Sequence, residues 1–270
     1  MRKSLRKLPR RVRSVAERRL TSGAIRKRKG AAFPVITAYD AAFGRLAESA
    51  GIDVILVGDS LGMVMLGYDS TVHVELGDME RHGAAVARGT KRAHVVVDLP
   101  FGSYEGSDEA AAAAAARLIK YGGASSVKLE GGVRMVSRIA AIVRAGIPVM
   151  AHLGVLPQTA GIGEGFRRDA RRDELLADAR AIEAAGAYAV VFEMVDADLA
   201  RELTGTLAIP TIGIGSGLHC DAQVLVMHDA LGLYPDPPPF ARVFADVAKT
   251  AEDGFRAYAD AVRARSFPPG

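Results

Sequence analysis

The sequence contains no tryptophan and a single cysteine, Cys220, among its 270 residues. One cysteine excludes an internal disulfide, and without CxxC or Cys/His spacing no zinc cluster is expected. A reducing compartment follows, most simply the cytoplasm. Long apolar runs are missing too: the longest are strand-length pieces such as VILV (54–57) and AVVF (189–192). The alanine stretch 110–116 is flanked by acids and Arg117, so no membrane-spanning helix is expected. Acid is nearly absent from the first thirty residues, which hold 13 of the 35 Lys and Arg and only Glu17. That is a net +12 against −8 for residues 31–270, so the overall +4 hides a basic arm on an acidic body. Such an arm is a solvated extension, a transit peptide, or a binder of nucleic acid or an anionic membrane surface. It lacks interleaved aromatics and an apolar core segment, which argues against nucleic acid and against secretion.

What is present points to one large domain. At 49% hydrophobic, the chain can bury a sizeable core. We expect a basic extension over 1–21 and a catalytic body over 22–270. From residue 31 onward, short β-branched runs alternate with alanine-rich segments of helical period, the pattern of repeated βα units on a parallel sheet. Strands are predicted at 34–37, 54–57, 94–97, 126–129, 149–151, 189–192, 211–214 and 224–226. Helices are predicted at 41–50, 78–88, 107–121, 132–145, 173–185, 197–206 and 240–263. Glycines 51, 122, 146 and 186 follow helices, where a left-handed residue is wanted. Eight units imply a (β/α)8 TIM barrel, with the eighth least defined because the connection 221–223 is too short for a helix.

Ionisable residues end one apolar run after another: Asp59, Asp98, Lys128 with Glu130, His152 and Glu193. In a (β/α)8 barrel the strand C-termini build the active site, so these distant residues should converge. Asp59, Asp98 and Glu130 offer three carboxylates, which suits a hard divalent cation, Mg2+ or Mn2+. Each also has an ordinary reading: a turn cap for Asp59, a strand end for Asp98, an ion pair with Lys128 for Glu130. Lys128 and Glu130, two apart on one strand, share a face. A charged lysine there would stabilise an enolate as it develops. Glu193 ends AYAVVF, where burial raises its pKa toward the general-base range, making it the candidate catalytic base. His152 is either a hydrogen-bonded structural histidine or a substrate contact. The glycines of IGIGSG (213–217) would bring backbone amides close to an anion.

At these residues the chain resembles the ketopantoate hydroxymethyltransferase (3-methyl-2-oxobutanoate hydroxymethyltransferase) family of pantothenate biosynthesis. The matching strings are ITAYD (36–40), VGDSLGMVMLGYDST (57–71), DLPFGSY (98–104), VKLEGG (127–132), HLGVLPQ (152–158), EAAGA (183–187), IPTIGIGSG (209–217) and QVLVMHDALGL (223–233). The resemblance implies Asp59 and Asp98 as Mg2+ ligands, with Glu130 in the coordination sphere directly or through water. It implies Asp59, Ser60, Asp98, Lys128 and His152 at the substrate and Glu193 as proton acceptor. The reaction it implies is transfer of a hydroxymethyl group from 5,10-methylenetetrahydrofolate to the Mg-stabilised enolate of 3-methyl-2-oxobutanoate, giving 2-dehydropantoate. It also implies a homo-oligomer, up to a decamer. The chain departs from the family pattern at Leu156, where HxGLTPQ carries threonine, and over 161–174, which is shorter than the family's segment containing GGYKVQGR. The rival reading is a Mg-dependent lyase or mutase of the isocitrate lyase and phosphoenolpyruvate mutase type, acting on another α-keto acid without folate. The cysteines typical of those lyases are absent near Lys128.

Overall fold

The computed structural model describes residues 19–160 and 171–269. The basic arm up to residue 18 and most of the 161–174 segment lie outside those residues. Eight parallel strands close into a barrel in chain order: β1 (Phe33–Thr37), β2 (Val54–Val57), β3 (His94–Asp98), β4 (Ser126–Glu130), β5 (Val149–Gly154), β6 (Ala189–Glu193), β7 (Thr211–Ile214) and β8 (Ala222–Leu225). Two small helices, α1 (Ser22–Arg26) and α3 (Leu61–Val64), join the outer helices α2 (Ala41–Ser49), α4 (Leu76–Gly89), α5 (Asp108–Lys120) and α6 (Val136–Arg144). The later helices are α7 (Pro157–Ala160), α8 (Arg172–Ala184), α9 (Ala197–Thr206), α10 (Met227–Leu231) and α11 (Val247–Arg263).

Strand alternation sorts the apolar residues into two cores. Phe33, Val35, Val54, Leu56, Val96, Met150, Val191, Ile212, Ala222 and Val224 point into the barrel, and Ile25 of α1 closes its floor. Full burial of a side chain such as Ile25 contributes roughly 1.5–3 kcal/mol. Residues of the opposite parity, such as Ile55, Val57, Val95, Val97, Val127 and Leu129, pack outward against the helices. At the floor, fully buried His94 donates from Nδ1 to the Leu20 carbonyl at 2.9 Å and receives Ser126 or Tyr188 at Nε2. Arg19 donates to the Ala87, Thr90 and Ala93 carbonyls at 2.9–3.1 Å, placing a cation at the α4 C-terminus. Among the described residues, the body's contacts begin at Arg19.

Three expectations change. β8 starts at Ala222, two residues early, and seven residues join it to β7 with no helix between. Asp221 makes that short crossover hold, accepting from the Thr211 backbone N–H at 2.8 Å and from Lys29 at 3.0 Å. The last helix begins at Val247, not 240, because Asp246 is the residue that caps it, accepting from the Lys249 N–H. After α5 the left-handed residue is Gly123 (φ +65°), not Gly122, while Gly51, Gly146 and Gly186 take positive φ as expected.

Helix α11 has no buried residue, and Phe255, Tyr258 and Val262 are 74%, 59% and 44% exposed along one face. On the outer face of β8 and β1, Gln223 and Pro34 are likewise exposed among the described residues. No helix among the described residues is long and apolar enough to cross a membrane.

Candidate active site

The inward register that builds the barrel core also delivers the polar residues. Asp98 pairs with Lys128 across β3 and β4, Glu130 with His152 across β4 and β5, and Gly154 with Glu193 across β5 and β6. Val96, Ser126 and Met150 lie two residues earlier on the same inward faces, so the functional side chains form the layer above the apolar core. Gly58 follows β2, and a Cβ there would meet Ser60 Oγ at 2.9 Å and Asp98 Oδ2 at 3.6 Å. That absent side chain leaves room for the Ser60 hydroxyl, while the Asp98 contact would be an ordinary one. Gly154 holds φ +98°, and a Cβ would meet the Glu193 carbonyl at 2.2 Å. Only glycine fits against the strand end that carries Glu193.

All seven residues named from the sequence line one cavity of about 730 Å3 at the barrel mouth. Its polar end is made of Asp59, Ser60, Asp98, Lys128, Glu130 and His152, with Glu193 across from them. Leu56, Val191, Ile214, Val224 and Val226 form an apolar wall, and Met194, Pro239 and Phe240 stand at the rim. Lys128 Nζ donates to Asp98 Oδ2 at 2.8 Å, and the Asp59 N–H donates to the same oxygen at 3.1 Å. Asp98 Oδ1 and Glu130 Oε1 are buried without a hydrogen-bond partner among the described residues. Ser60 Oγ sits 2.9 Å from the Tyr39 hydroxyl.

Electrostatics follow from burial. Burial pushes the Asp59 carboxyl well above its usual range, and the nearby Asp98 and Glu130 charges push it further. Glu130 is raised for the same first cause, with Lys128 opposing. Burial alone would lower Lys128, but Asp98, Glu130 and Asp59 outweigh it and keep the ammonium charged. His152 is pushed down to about 4 by burial and by Lys128, so its ring is neutral near pH 7. Its Nδ1 lies 3.3 Å from Glu130 Oε1 and its Nε2 3.5 Å from Glu193 Oε2. Neither nitrogen is aligned for a hydrogen bond among the described residues. The His152 ring thus sits between the Glu130 and Glu193 carboxyls. Glu193, with 17% of its side chain exposed, is raised to about 7 by burial.

With Asp59, Asp98 and Glu130 ionised beside the Lys128 ammonium, this four-residue cluster carries a formal charge of −2. A buried excess of that size calls for either protons or a divalent cation. The unpartnered oxygens of Asp98 and Glu130 are hard donors of the kind Mg2+ or Mn2+ takes. No group of three His, Cys, Asp or Glu among the described residues is arranged to enclose an ion unaided. That suits a cation held by one or two carboxylates and completed by water and substrate.

A profile of the ketopantoate hydroxymethyltransferase family matches residues 19–270. The chain belongs to that family. The 3-methyl-2-oxobutanoate hydroxymethyltransferase of Thiobacillus denitrificans is 51% identical, covering 90% of this chain and 94% of its own. Those of Thermobifida fusca and Ignicoccus hospitalis are 48% and 47% identical, covering 94% and 89% of this chain and 92% and 93% of their own. Among solved structures, phosphonopyruvate hydrolase in complex with oxalate and Mg++ superposes with TM-score 0.62 at 14% identity, covering 92% of this chain and 89% of that one. A 2,3-dimethylmalate lyase of the PEP mutase/isocitrate lyase superfamily superposes with TM-score 0.60 at 18% identity, covering 90% and 88%. These likenesses share the barrel alone and give the lyase reading no support beyond the fold.

Two sequence features read differently in place. Leu156 lines a neighbouring groove with Gly132, Leu153 and Glu174 and does not line the cavity that gathers the seven residues. The glycines of IGIGSG make room for side chains: Phe240 packs 3.0 Å from where a Gly215 Cβ would stand, and Ala197 Cβ 2.7 Å from where a Gly217 Cβ would stand. Sequence reasoning missed Gln158 and Tyr104, which are uncharged and sit on no strand end. Their only signal was membership of the strings HLGVLPQ and DLPFGSY.

Proposed function

We propose that this chain is a 3-methyl-2-oxobutanoate hydroxymethyltransferase that makes 2-dehydropantoate for pantothenate biosynthesis, using a divalent cation and 5,10-methylenetetrahydrofolate. The observation that carries the reading is a carboxylate poised near neutrality, Glu193, facing an ammonium-and-carboxylate cluster across one cavity. When bound at Asp59 and Asp98, with Glu130 direct or through water, Mg2+ supplies electron withdrawal that acidifies the C–H beside a keto group. Glu193 removes the proton from C3 of the keto acid. Lys128, held ionised by Asp98, stabilises the negative charge that moves onto the substrate oxygen. Ser60 and His152 hold the substrate's polar end, and Val191, Val224 and Val226 accept its branched alkyl group. The enolate carbon forms a C–C bond to the one-carbon unit, one water supplies the hydroxyl oxygen, the bonds from that carbon to the folate nitrogens break, and tetrahydrofolate leaves carrying the returned proton.

The reading extends to the rest of the chain. The single catalytic unit takes in Arg19 and Leu20 as well as 22–270, which shortens the basic extension from 1–21 to 1–18, and it works in the cytoplasm with its lone Cys220 reduced. The exposed face of α11 and the exposed Gln223 and Pro34 of β8 and β1 suit a second copy of the chain, in keeping with a homo-oligomer. Incubation with 3-methyl-2-oxobutanoate, methylenetetrahydrofolate and Mg2+ should yield 2-dehydropantoate. Solvent-deuterium exchange at C3 without that product, folate being present, would instead favour the lyase or mutase reading.

A further inference from the structure

Gln158 carries no charge, yet it touches two of the three carboxylates. It is 1% exposed and belongs to the short helix α7. Its Nε2 donates to Asp59 Oδ2 at 2.7 Å and to the Leu99 carbonyl at 2.9 Å. Its Oε1 accepts from the Tyr104 hydroxyl at 2.6 Å, and its backbone N–H donates to Glu130 Oε2 at 3.2 Å. The amide orientation is set by its surroundings. The Leu99 carbonyl only accepts, so the atom beside it must be the NH2 group. Tyr104, 2% exposed, accepts the Glu130 N–H at 3.2 Å and gives its own proton to Gln158 Oε1 at 2.6 Å, a far shorter contact than its 3.4 Å approach to the Glu130 carbonyl.

The three carboxylates then share one arrangement. Asp59 has Oδ2 held by Gln158, Glu130 has Oε2 held by the Gln158 backbone, and Asp98 has Oδ2 held by Lys128 and the Asp59 N–H. The opposite oxygens of Asp98 and Glu130 are buried without a hydrogen bond among the described residues, Glu130 Oε1 lying 3.3 Å from His152 Nδ1. A carboxylate held by one oxygen cannot rotate freely, so the direction of the other oxygen is fixed before any ion arrives.

We propose that Gln158, oriented by Tyr104, is a positioning residue that fixes Asp59 and Glu130 so that one oxygen of each faces the divalent cation. This rests on the divalent-cation reading of the site given above. It gives Tyr104 and Gln158 a role in metal affinity although neither touches the ion.

The test uses the full chain and Mn2+ alone, titrated by electron paramagnetic resonance and calorimetry. Gln158→Met keeps the length and the backbone N–H but removes the amide. It should weaken Mn2+ binding about 10–100-fold, the usual range for residues that hold a metal ligand. Tyr104→Phe removes only the hydroxyl that turns the amide, and should weaken binding in the same direction by a smaller factor. Saturating Mn2+ should restore most of the keto-acid exchange activity of both variants, a recovery that general loss of structure would not give. Should Gln158→Met fail to fold, Tyr104→Phe decides. Wild-type Mn2+ affinity in the folded variants, with the parent binding Mn2+, would overturn this proposal and leave the cation reading standing. A parent that binds no divalent cation would overturn both.

Discussion

Glu193→Gln should remove activity and at the same time stabilise the protein, in amounts that depend on pH. The carboxyl ends β6, 17% exposed, 3.5 Å from a neutral imidazole. Burial first, with a further contribution from Glu130 against the opposing His152, raises it from 4.5 to about 7. As a base it must be ionised, so the rate of C3 hydrogen exchange with solvent should rise with pH through about 7 and then level off. The amide keeps the shape but cannot accept the proton, and a typical general-base loss is on the order of 10²–10⁴-fold. The stability effect has the opposite sign. A folded-state value above the unfolded one means that the native state binds the proton more tightly. Wild type therefore loses stability as pH rises from about 4.5, and the loss is complete above about 7. At 1.36 kcal/mol per pH unit the full loss is on the order of 3 kcal/mol, an upper figure because the side chain is partly solvated. Glutamine has no such term. Urea unfolding of both proteins, without metal and at one protein concentration, should show a stability difference that grows in favour of the variant between pH 5 and pH 8. A difference that stays constant across that window would refute the burial argument. Exchange at the wild-type rate in the folded variant would remove Glu193 as the base.

Asp98→Asn should weaken Mg2+ or Mn2+ binding at least tenfold, since it replaces a charged oxygen donor and loosens Lys128; calorimetry returning the wild-type affinity would refute the ligand assignment. Phe255→Ser combined with Tyr258→Ser should shift the sedimentation coefficient to a smaller species, because it removes the exposed apolar face of α11; an unchanged assembly would place the interface elsewhere. Deleting residues 1–18 should leave activity and thermal midpoint near wild type, whereas deleting 1–20 takes the Arg19 guanidinium from the end of α4 and Leu20 from His94, costing about 1–3 kcal/mol in a thermal melt. Equal melts for the two truncations would show that Arg19 contributes nothing.

The barrel was readable because its strands are nearly continuous apolar runs and its helices keep a 3.6-residue period, two patterns set by burial alone. The site was readable for a related reason. A buried strand has no cause to end in Asp, Lys, Glu or His unless several such ends meet, and Asp98, Lys128, Glu130, His152 and Glu193 do meet. The misplaced start of α11 and the early β8 escaped because both depend on single long-range contacts. Asp221 secures the β7–β8 link through Lys29, nearly two hundred residues away, and no local pattern encodes that.

Gln158 and Tyr104 escaped for a different physical reason. A residue is conspicuous in sequence when its type is out of place, and a glutamine in a polar loop is not. Its importance comes from desolvation: at 1% exposure, each of its four hydrogen bonds replaces one with water, and losing any leaves a buried polar atom unpaired. The donors that hold one oxygen of each carboxylate come from separate places in the chain: the Asp59 backbone, Lys128 on β4 and Gln158 on α7. No contiguous motif can spell such a set. Strand ends therefore announce which charges meet, while the orientation of those charges is decided by neutral groups that only the folded chain brings together.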